Sequence, residues 1–169
     1  LSDNNLKVQD KIKSRLINLL SRCSGQSGIA GGQYLDLSYE QKKVSLQKIL
    51  NMELKKTGKL FEFCCVAPLL IKKKQKNLNT FSKIGKDIGL LFQIVDDMID
   101  FKGITKLAGK KTKKDLKKGK ATIISLLGYK NTVKYTDKLK QNIYNKLRLK
   151  NNKADDLKET INFIIKRNN

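Results

Sequence analysis

Apolar residues recur at steps of three and four along most of this chain, which is the spacing of one face of an α-helix. The first such stripe includes Leu16, Leu20 and Cys23 and predicts a helix over about residues 10–30. No segment shows the strict alternation of apolar and polar residues that is typical of a half-buried strand. The pattern therefore predicts an all-α protein.

Further stripes predict the remaining helices. A second helix runs from Val44 through Leu70, and Pro68 should kink or end it. A third helix, capped by Asn79 or Thr80, has its core face on the following residues: Phe81, Ile84, Ile88, Leu91, Phe92, Val95 and Ile99. Shorter helices are predicted over about residues 121–128, 132–149 and 154–166.

Residues 102–120 interrupt this pattern. They contain nine lysines and three glycines, which is typical of a functional loop rather than of a packed element. The whole chain of 169 residues has room for one domain. We therefore predict a single bundle of packed helices over residues 1–169.

Composition excludes several kinds of site. The chain has no histidine, which rules out Ser-His-Asp and Cys-His catalysis and histidine-bound metals. Its three cysteines lack the spacing of a metal site, and an odd number of them favours a reducing, cytoplasmic compartment. The longest fully apolar run, Cys64 to Ile71, is too short to span a bilayer.

The net charge of +22 raises the alternative of a binding module for nucleic acid or an anionic membrane. Only four of the 37 basic residues are arginine, the residue whose planar fork suits nucleic-acid recognition. The excess of lysine therefore favours a solvated basic surface, with no nucleic-acid partner.

Three aspartates, Asp96, Asp97 and Asp100, close the strongly apolar third helix. Asp96 and Asp100 lie one turn apart on the same face. Like charges repel there, and the helix dipole disfavours anions at a C-terminal end. A hard cation such as Mg²⁺ relieves this strain, because it binds carboxylates and completes its shell with water and phosphate oxygens. A solvated acidic turn is the alternative.

Three other features are compatible with a phosphate ligand. The segment GKKTKKDLKKGKAT at 109–122 combines glycines, which let an anion approach the backbone, with lysines that supply positive charge. It lacks the spacing of a Walker A loop. Lys56-Thr57-Gly58 places a lysine and a hydroxyl in mid-helix, and Gln33 and Asp36 follow two glycines one turn apart. Alone, each of the last two is more often structural.

Taken in order, these motifs resemble those of the trans-isoprenyl diphosphate synthase, or polyprenyl synthetase, family. The matching segments are GGQYLDL at 31–37, KTG at 56–58, GKDIGLLFQIVDDMID at 85–100, GKKTKKDLKKGKAT at 109–122 and IIKRN at 164–168. The likeness is strongest to bacterial short-chain members, which make farnesyl diphosphate. The aspartate run resembles the second aspartate-rich motif of the family.

The resemblance implies an isoprenoid-synthase fold and a prenyltransferase. Such an enzyme condenses isopentenyl diphosphate with an allylic diphosphate, dimethylallyl or geranyl, and releases pyrophosphate. It also implies about three Mg²⁺ ions per complete site, which stabilise the developing charge. Asp96 is implied as a direct ligand, and Asp97 and Asp100 as ligands acting directly or through water.

The other roles implied by the resemblance concern the substrates. Lys56 and Lys110 would hold the allylic diphosphate, and Arg167 would approach the second diphosphate. Thr57 and Gln93 would line the site near the reacting carbons, so that Lys56, Thr57, Gln93 and Asp96 form the catalytic set.

Gln33, Asp36 and Asp115 would orient metal-bound water. In the family the first aspartate-rich motif and the residues for isopentenyl diphosphate belong to the first half of the domain. The chain resembles only the second half, so by itself it is expected to be inactive. The resemblance also implies a homodimer. A relic retained only for dimerisation is the remaining alternative.

Overall fold

The computed structural model describes residues 1, 3, 5–108, 121–148 and 154–167, with the side chains of 104–108 excepted. Helices account for most of the described chain, and these residues contain no strand. The α-helices are α1 (Asp10–Ser24), α2 (Ile29–Ser38), α3 (Leu46–Glu53), α4 (Lys59–Ile71), α5 (Leu78–Ala108), α6 (Ile123–Leu127), α7 (Tyr129–Arg148) and α8 (Asp155–Lys166). The prediction of an all-α fold is confirmed.

The second predicted helix is continuous but not regular. A π-helical turn, Leu54–Gly58, joins α3 to α4 without a break in the helical backbone. Such a turn inserts one extra residue and is frequent at functional sites. Pro68 lies inside α4, which continues for three more residues before it ends at Ile71.

The first predicted helix ends earlier than its apolar stripe suggested. α1 stops at Ser24, and α2 starts only at Ile29. Between them the chain folds back so tightly that a methyl group at Gly28 would lie 1.7 Å from the carbonyl oxygen of Cys23. Glycine permits this close approach, and the stripe could not show it.

The third predicted helix differs from the observed one at both ends. α5 begins at Leu78, after a 3₁₀ turn over Gln75–Asn77, so neither Asn79 nor Thr80 is its cap. At the other end it continues to Ala108, into the segment expected to be a loop. Lys106, Leu107 and Ala108 are good helix formers and favour the extension, whereas Gly103 opposes it. Residues 109–120 lie outside the described residues.

The helices after the lysine-rich segment end within a few residues of their predicted positions. α6 begins with a reciprocal capping box, in which the side chains of Thr122 and Ser125 each accept a hydrogen bond from the other's backbone nitrogen. Tyr144 of α7 donates a hydrogen bond of 2.6 Å to the side-chain oxygen of Asn162 in α8. This contact and the apolar face of α8 hold the last helix in place.

The centre of the molecule is α5. Its residues Ile84, Ile88, Leu91 and Ile94 are almost wholly buried in the main core, together with apolar residues of α3, α6, α7 and α8. A smaller core joins α1 to α4 through Ile12, Leu16, Val66 and Leu70. Gln93, Asp96, Asp97 and Asp100 lie on this central helix, and Lys56 and Thr57 lie in the π turn that packs against it.

Glycines allow the π turn and α4 to approach α5 at backbone contact. A methyl group at Gly89 would lie 2.6 Å from the Cα of Gly58, and one at Gly85 would lie 2.5 Å from the carbonyl oxygen of Phe61. Both distances are far below van der Waals contact. Any side chain at these positions would force the two helices apart.

A partly buried charge cluster links the same pair of helices. Glu62 of α4 accepts hydrogen bonds from Lys59 at 2.8 Å and from Ser82 of α5 at 2.6 Å, and it pairs with Lys86 at 3.2 Å. Burial alone would raise the pKa of this carboxyl, but the bonds from Lys59, Ser82 and Lys86 outweigh it and lower the pKa.

Gly89→Ala should destabilise the chain by about 1–3 kcal/mol, because the added methyl group meets backbone that cannot rotate away. Gly103→Ala is the matched control. It lies on the same helix, and no described atom lies within 4 Å of a methyl group placed there. The control should raise the free energy of unfolding by about 0.5–1 kcal/mol. Urea denaturation measures both, and equal effects would contradict the close contact.

Glu62→Gln should lower the free energy of unfolding by about 1–3 kcal/mol at neutral pH, through weaker bonds to two lysines. Because the folded pKa lies below the ordinary value of 4.5, the unfolded chain binds the proton more tightly. The contribution of ionised Glu62 to the free energy of unfolding is complete above about pH 5 and is lost as pH falls through the pKa of the folded state. The difference between wild type and Glu62→Gln should therefore shrink in acid. Exposed Glu159→Gln should leave the pH dependence of unfolding unchanged.

Candidate active site

The KTG motif occupies the π turn, where it faces α2. A methyl group at Gly32 would lie 2.2 Å from the backbone nitrogen of Lys56, so this glycine sets the closeness of α2 to the turn. The contact brings the Asp36 carboxylate to 2.5 Å from the Lys56 ammonium. The carboxylate side chain is only 12% exposed, which gives the lysine a fixed and partly desolvated partner.

Thr57, the next residue of the turn, connects it to α5. Its hydroxyl donates a hydrogen bond of 3.1 Å to the Gln93 side-chain oxygen. The amide nitrogen of Gln93 in turn donates to the Asp97 carboxylate at 3.4 Å. The bond between Thr57 and Gln93 spans 36 residues of sequence and joins two motifs that the sequence showed only separately.

The aspartates of α5 fall into two environments. Asp97 is buried, with 8% of its surface exposed, and receives the bond from Gln93. Asp96 is partly exposed and Asp100 is exposed, and the two lie one turn apart along the helix. Only Asp96 and Asp100 therefore share an accessible face, on which a ligand can reach both carboxylates.

Arg167, at the end of α8, reaches this face. Its guanidinium lies 2.8 Å from the Asp96 carboxylate and stacks 4.8 Å from the centre of the Phe92 ring. Because Phe92 and Asp96 are one turn apart, a single guanidinium contacts both. The helical spacing predicts Phe92 on the core face, and nothing in that spacing indicates this second contact.

The remaining predicted residues are distributed as follows. Gln33 is exposed on α2, three residues before Asp36. Lys110 and Asp115 lie outside the described residues. The structure thus joins Asp36 with Lys56, Thr57 with Gln93 and Asp97, and Asp96 with Arg167.

The donor set suits a hard cation that takes few protein ligands. Within the described part of the chain, no three acidic or cysteine side chains converge on one point. Asp96 and Asp100 offer carboxylate oxygens on one exposed face, as Mg²⁺ requires when water and phosphate complete its shell. Asp97 faces Gln93 and is covered. The residues present therefore fit one or two carboxylate contacts rather than a closed metal cage.

Thiol chemistry has little support near these residues. All three cysteines are free, and burial raises the pKa of Cys65 to about 11. A thiol with such a pKa is almost fully protonated at neutral pH and is a poor nucleophile.

The family model described as polyprenyl synthetase matches residues 4–164 of the chain. The chain belongs to the polyprenyl synthetase family. This finding confirms the family that the motifs indicated, and it gives no support to a lysine-rich binding module or to a dimerising relic. Within the described residues, no helix combines the length and apolar character needed to cross a membrane.

Relatives and solved structures agree with this assignment. A farnesyl diphosphate synthase of Micrococcus luteus is 34% identical over 97% of the chain and 57% of its own length. An FPP/GFPP synthase of Zymomonas mobilis is 31% identical, with a TM-score of 0.77 over 92% of the chain and 52% of its own. A Helicobacter pylori geranyltransferase complexed with magnesium and isoprenyl diphosphate is 26% identical, with a TM-score of 0.76 over 96% of the chain and 54% of its own. The chain thus spans about half the length of these polyprenyl synthetases.

Proposed function

We propose that the chain carries the magnesium- and allylic-diphosphate-binding part of a short-chain prenyltransferase. The reaction joins isopentenyl diphosphate to dimethylallyl or geranyl diphosphate and releases pyrophosphate. The observation that carries the proposal is the hydrogen bond between Thr57 and Gln93. It unites the KTG turn with the aspartate helix, so a basic group and an acidic group stand on adjoining helices.

Asp96 is the residue proposed to bind the metal directly. Asp100, one turn further along α5, would contact the metal directly or through water. Asp97 would act indirectly, by accepting the hydrogen bond from Gln93. Bound Mg²⁺, about three ions in a complete site, would supply positive charge to the departing diphosphate. Support comes from the partial exposure of Asp96 and from the similar Helicobacter pylori geranyltransferase, which was solved in complex with magnesium and isoprenyl diphosphate.

Lys56 is proposed to hold the allylic diphosphate. Its ammonium is aimed by Asp36, and a lysine held by a buried partner loses less freedom when it binds an anion. Asp36 and Gln33 would also orient water on the metal. Lys110 and Asp115 are proposed to complete the diphosphate and water contacts from the lysine-rich segment.

Thr57 and Gln93 are proposed to line the site beside the reacting carbons. Their mutual hydrogen bond satisfies both side chains without placing a net charge there. A neutral, oriented surface suits an allylic carbocation, because its oxygen dipoles stabilise positive charge without capturing the ion as a nucleophilic carboxylate would.

The assembly and location of the enzyme are also proposals. We infer that turnover needs the residues that the family carries in its first half, so the chain alone is inactive. A homodimer follows the family resemblance. The three free thiols support a reducing, cytoplasmic compartment.

Asp96→Asn should reduce the turnover rate of an active protein containing this chain by on the order of 10²-fold or more, because the contact acts as charge develops. Asp100→Asn should cost less. Asp137→Asn, an exposed site on α7, is the matched control and should be silent. The assay is transfer of labelled isopentenyl diphosphate to geranyl diphosphate, with and without chelator. Full activity of Asp96→Asn, or in excess chelator, would refute the proposed function.

A further inference from the structure

The ion pair between Asp96 and Arg167 occupies the carboxylate that is proposed to bind the metal. A guanidinium nitrogen of Arg167 lies 2.8 Å from a carboxylate oxygen of Asp96. Each side chain is about one-third exposed, 33% for Asp96 and 34% for Arg167. An ion pair that is partly open to solvent is weak, so another cation can replace the guanidinium as the partner of the carboxylate.

Helix geometry determines where the guanidinium lies. Ile161 and Ile164 of α8 are buried against the core, and Arg167 follows at the same spacing of three. Residues three apart are neighbours on a helix surface, so Arg167 lies beside Ile164 at the edge of the buried face. The packing of Ile164 therefore places Arg167 next to α5, where it contacts Asp96 and Phe92.

The guanidinium shares the face of α5 on which the metal would sit. Phe92, Asp96 and Asp100 form a stripe with a step of four, and Arg167 covers its first two members. A hydrated divalent ion held by Asp96 and Asp100 would lie beside this cation. Two like charges on one carboxylate repel strongly, so both cannot hold it with full affinity.

We propose that Arg167 is the resident counter-ion of Asp96 and is displaced when the metal binds. The inference rests on the proposed function, since it takes Asp96 as a metal ligand. Arg167 neutralises the carboxylate while no metal is present, and metal binding releases the last turn of α8. The freed guanidinium is then available to an anionic ligand, which reconciles the observed ion pair with the diphosphate role predicted from sequence.

The test measures the affinity of the full chain for Mn²⁺, used as a probe for Mg²⁺, by electron paramagnetic resonance without substrate. Arg167→Gln should raise the affinity about three- to tenfold, which corresponds to loss of one partly exposed ion pair and one cation–π contact. Arg148→Gln removes the same charge from an exposed site at the end of α7 and should change the affinity far less.

A second variant separates this inference from the proposed function. Asp96→Asn should lower Mn²⁺ affinity, and adding Arg167→Gln to it should have no further effect. If Asp96→Asn leaves the affinity unchanged, the metal site and the inference both fail. If Asp96→Asn weakens binding but Arg167→Gln does not exceed Arg148→Gln, the inference alone is overturned.

Hydrogen exchange supplies a readout that does not depend on affinity. Metal should increase amide exchange at the last turn of α8 in the wild type, because Arg167 no longer holds it. In Arg167→Gln, exchange there should be high before metal is added and should not rise further. Slower exchange in the wild type with metal would show that the turn is tightened rather than released, which would contradict the displacement.

Discussion

The close approach of α4 and its π turn to α5 is the constraint on which the rest of the structure depends. Gly58, Gly85 and Gly89 bring the two backbones together without intervening side chains. At this separation the short hydroxyl side chain of Thr57 can reach Gln93, and Glu62 can reach Ser82. With larger residues in the contact, the helices would still pack, but these polar links would be broken.

The π turn adds a second requirement at the same place. The extra residue of the π turn rotates the helix on one side of the turn by about 100° relative to the helix on the other side. Within the turn, Lys56 contacts Asp36 of α2 and Thr57 contacts Gln93 of α5. One turn thereby serves two neighbouring helices. The irregularity is consistent with a functional site, where departures from regular helix are common.

The sequence predicted those helices that bury one continuous apolar face. In α5, for example, Ile84, Ile88 and Leu91 recur at the helical spacing and are buried. It placed the ends poorly where glycine geometry or helix propensity decided them, as at Gly28 and beyond residue 102. Motifs identified the candidate residues of the site. Their pairing could not be predicted, because Asp36 with Lys56 and Asp96 with Arg167 depend on packing between distant helices.

In the proposed function, this helix pair binds a diphosphate through a metal held at Asp96. The most direct measurement is electron–nuclear double resonance of Mn²⁺ bound to the chain, with inorganic pyrophosphate and aspartate labelled with ¹³C at the carboxyl carbon. We expect hyperfine coupling from both ³¹P and ¹³C to one metal ion, and we expect Asp96→Asn to weaken the ¹³C coupling, because Asp100 alone then remains beside the metal. Phosphorus coupling without any aspartate coupling, or couplings unaffected by Asp96→Asn, would contradict the proposed function.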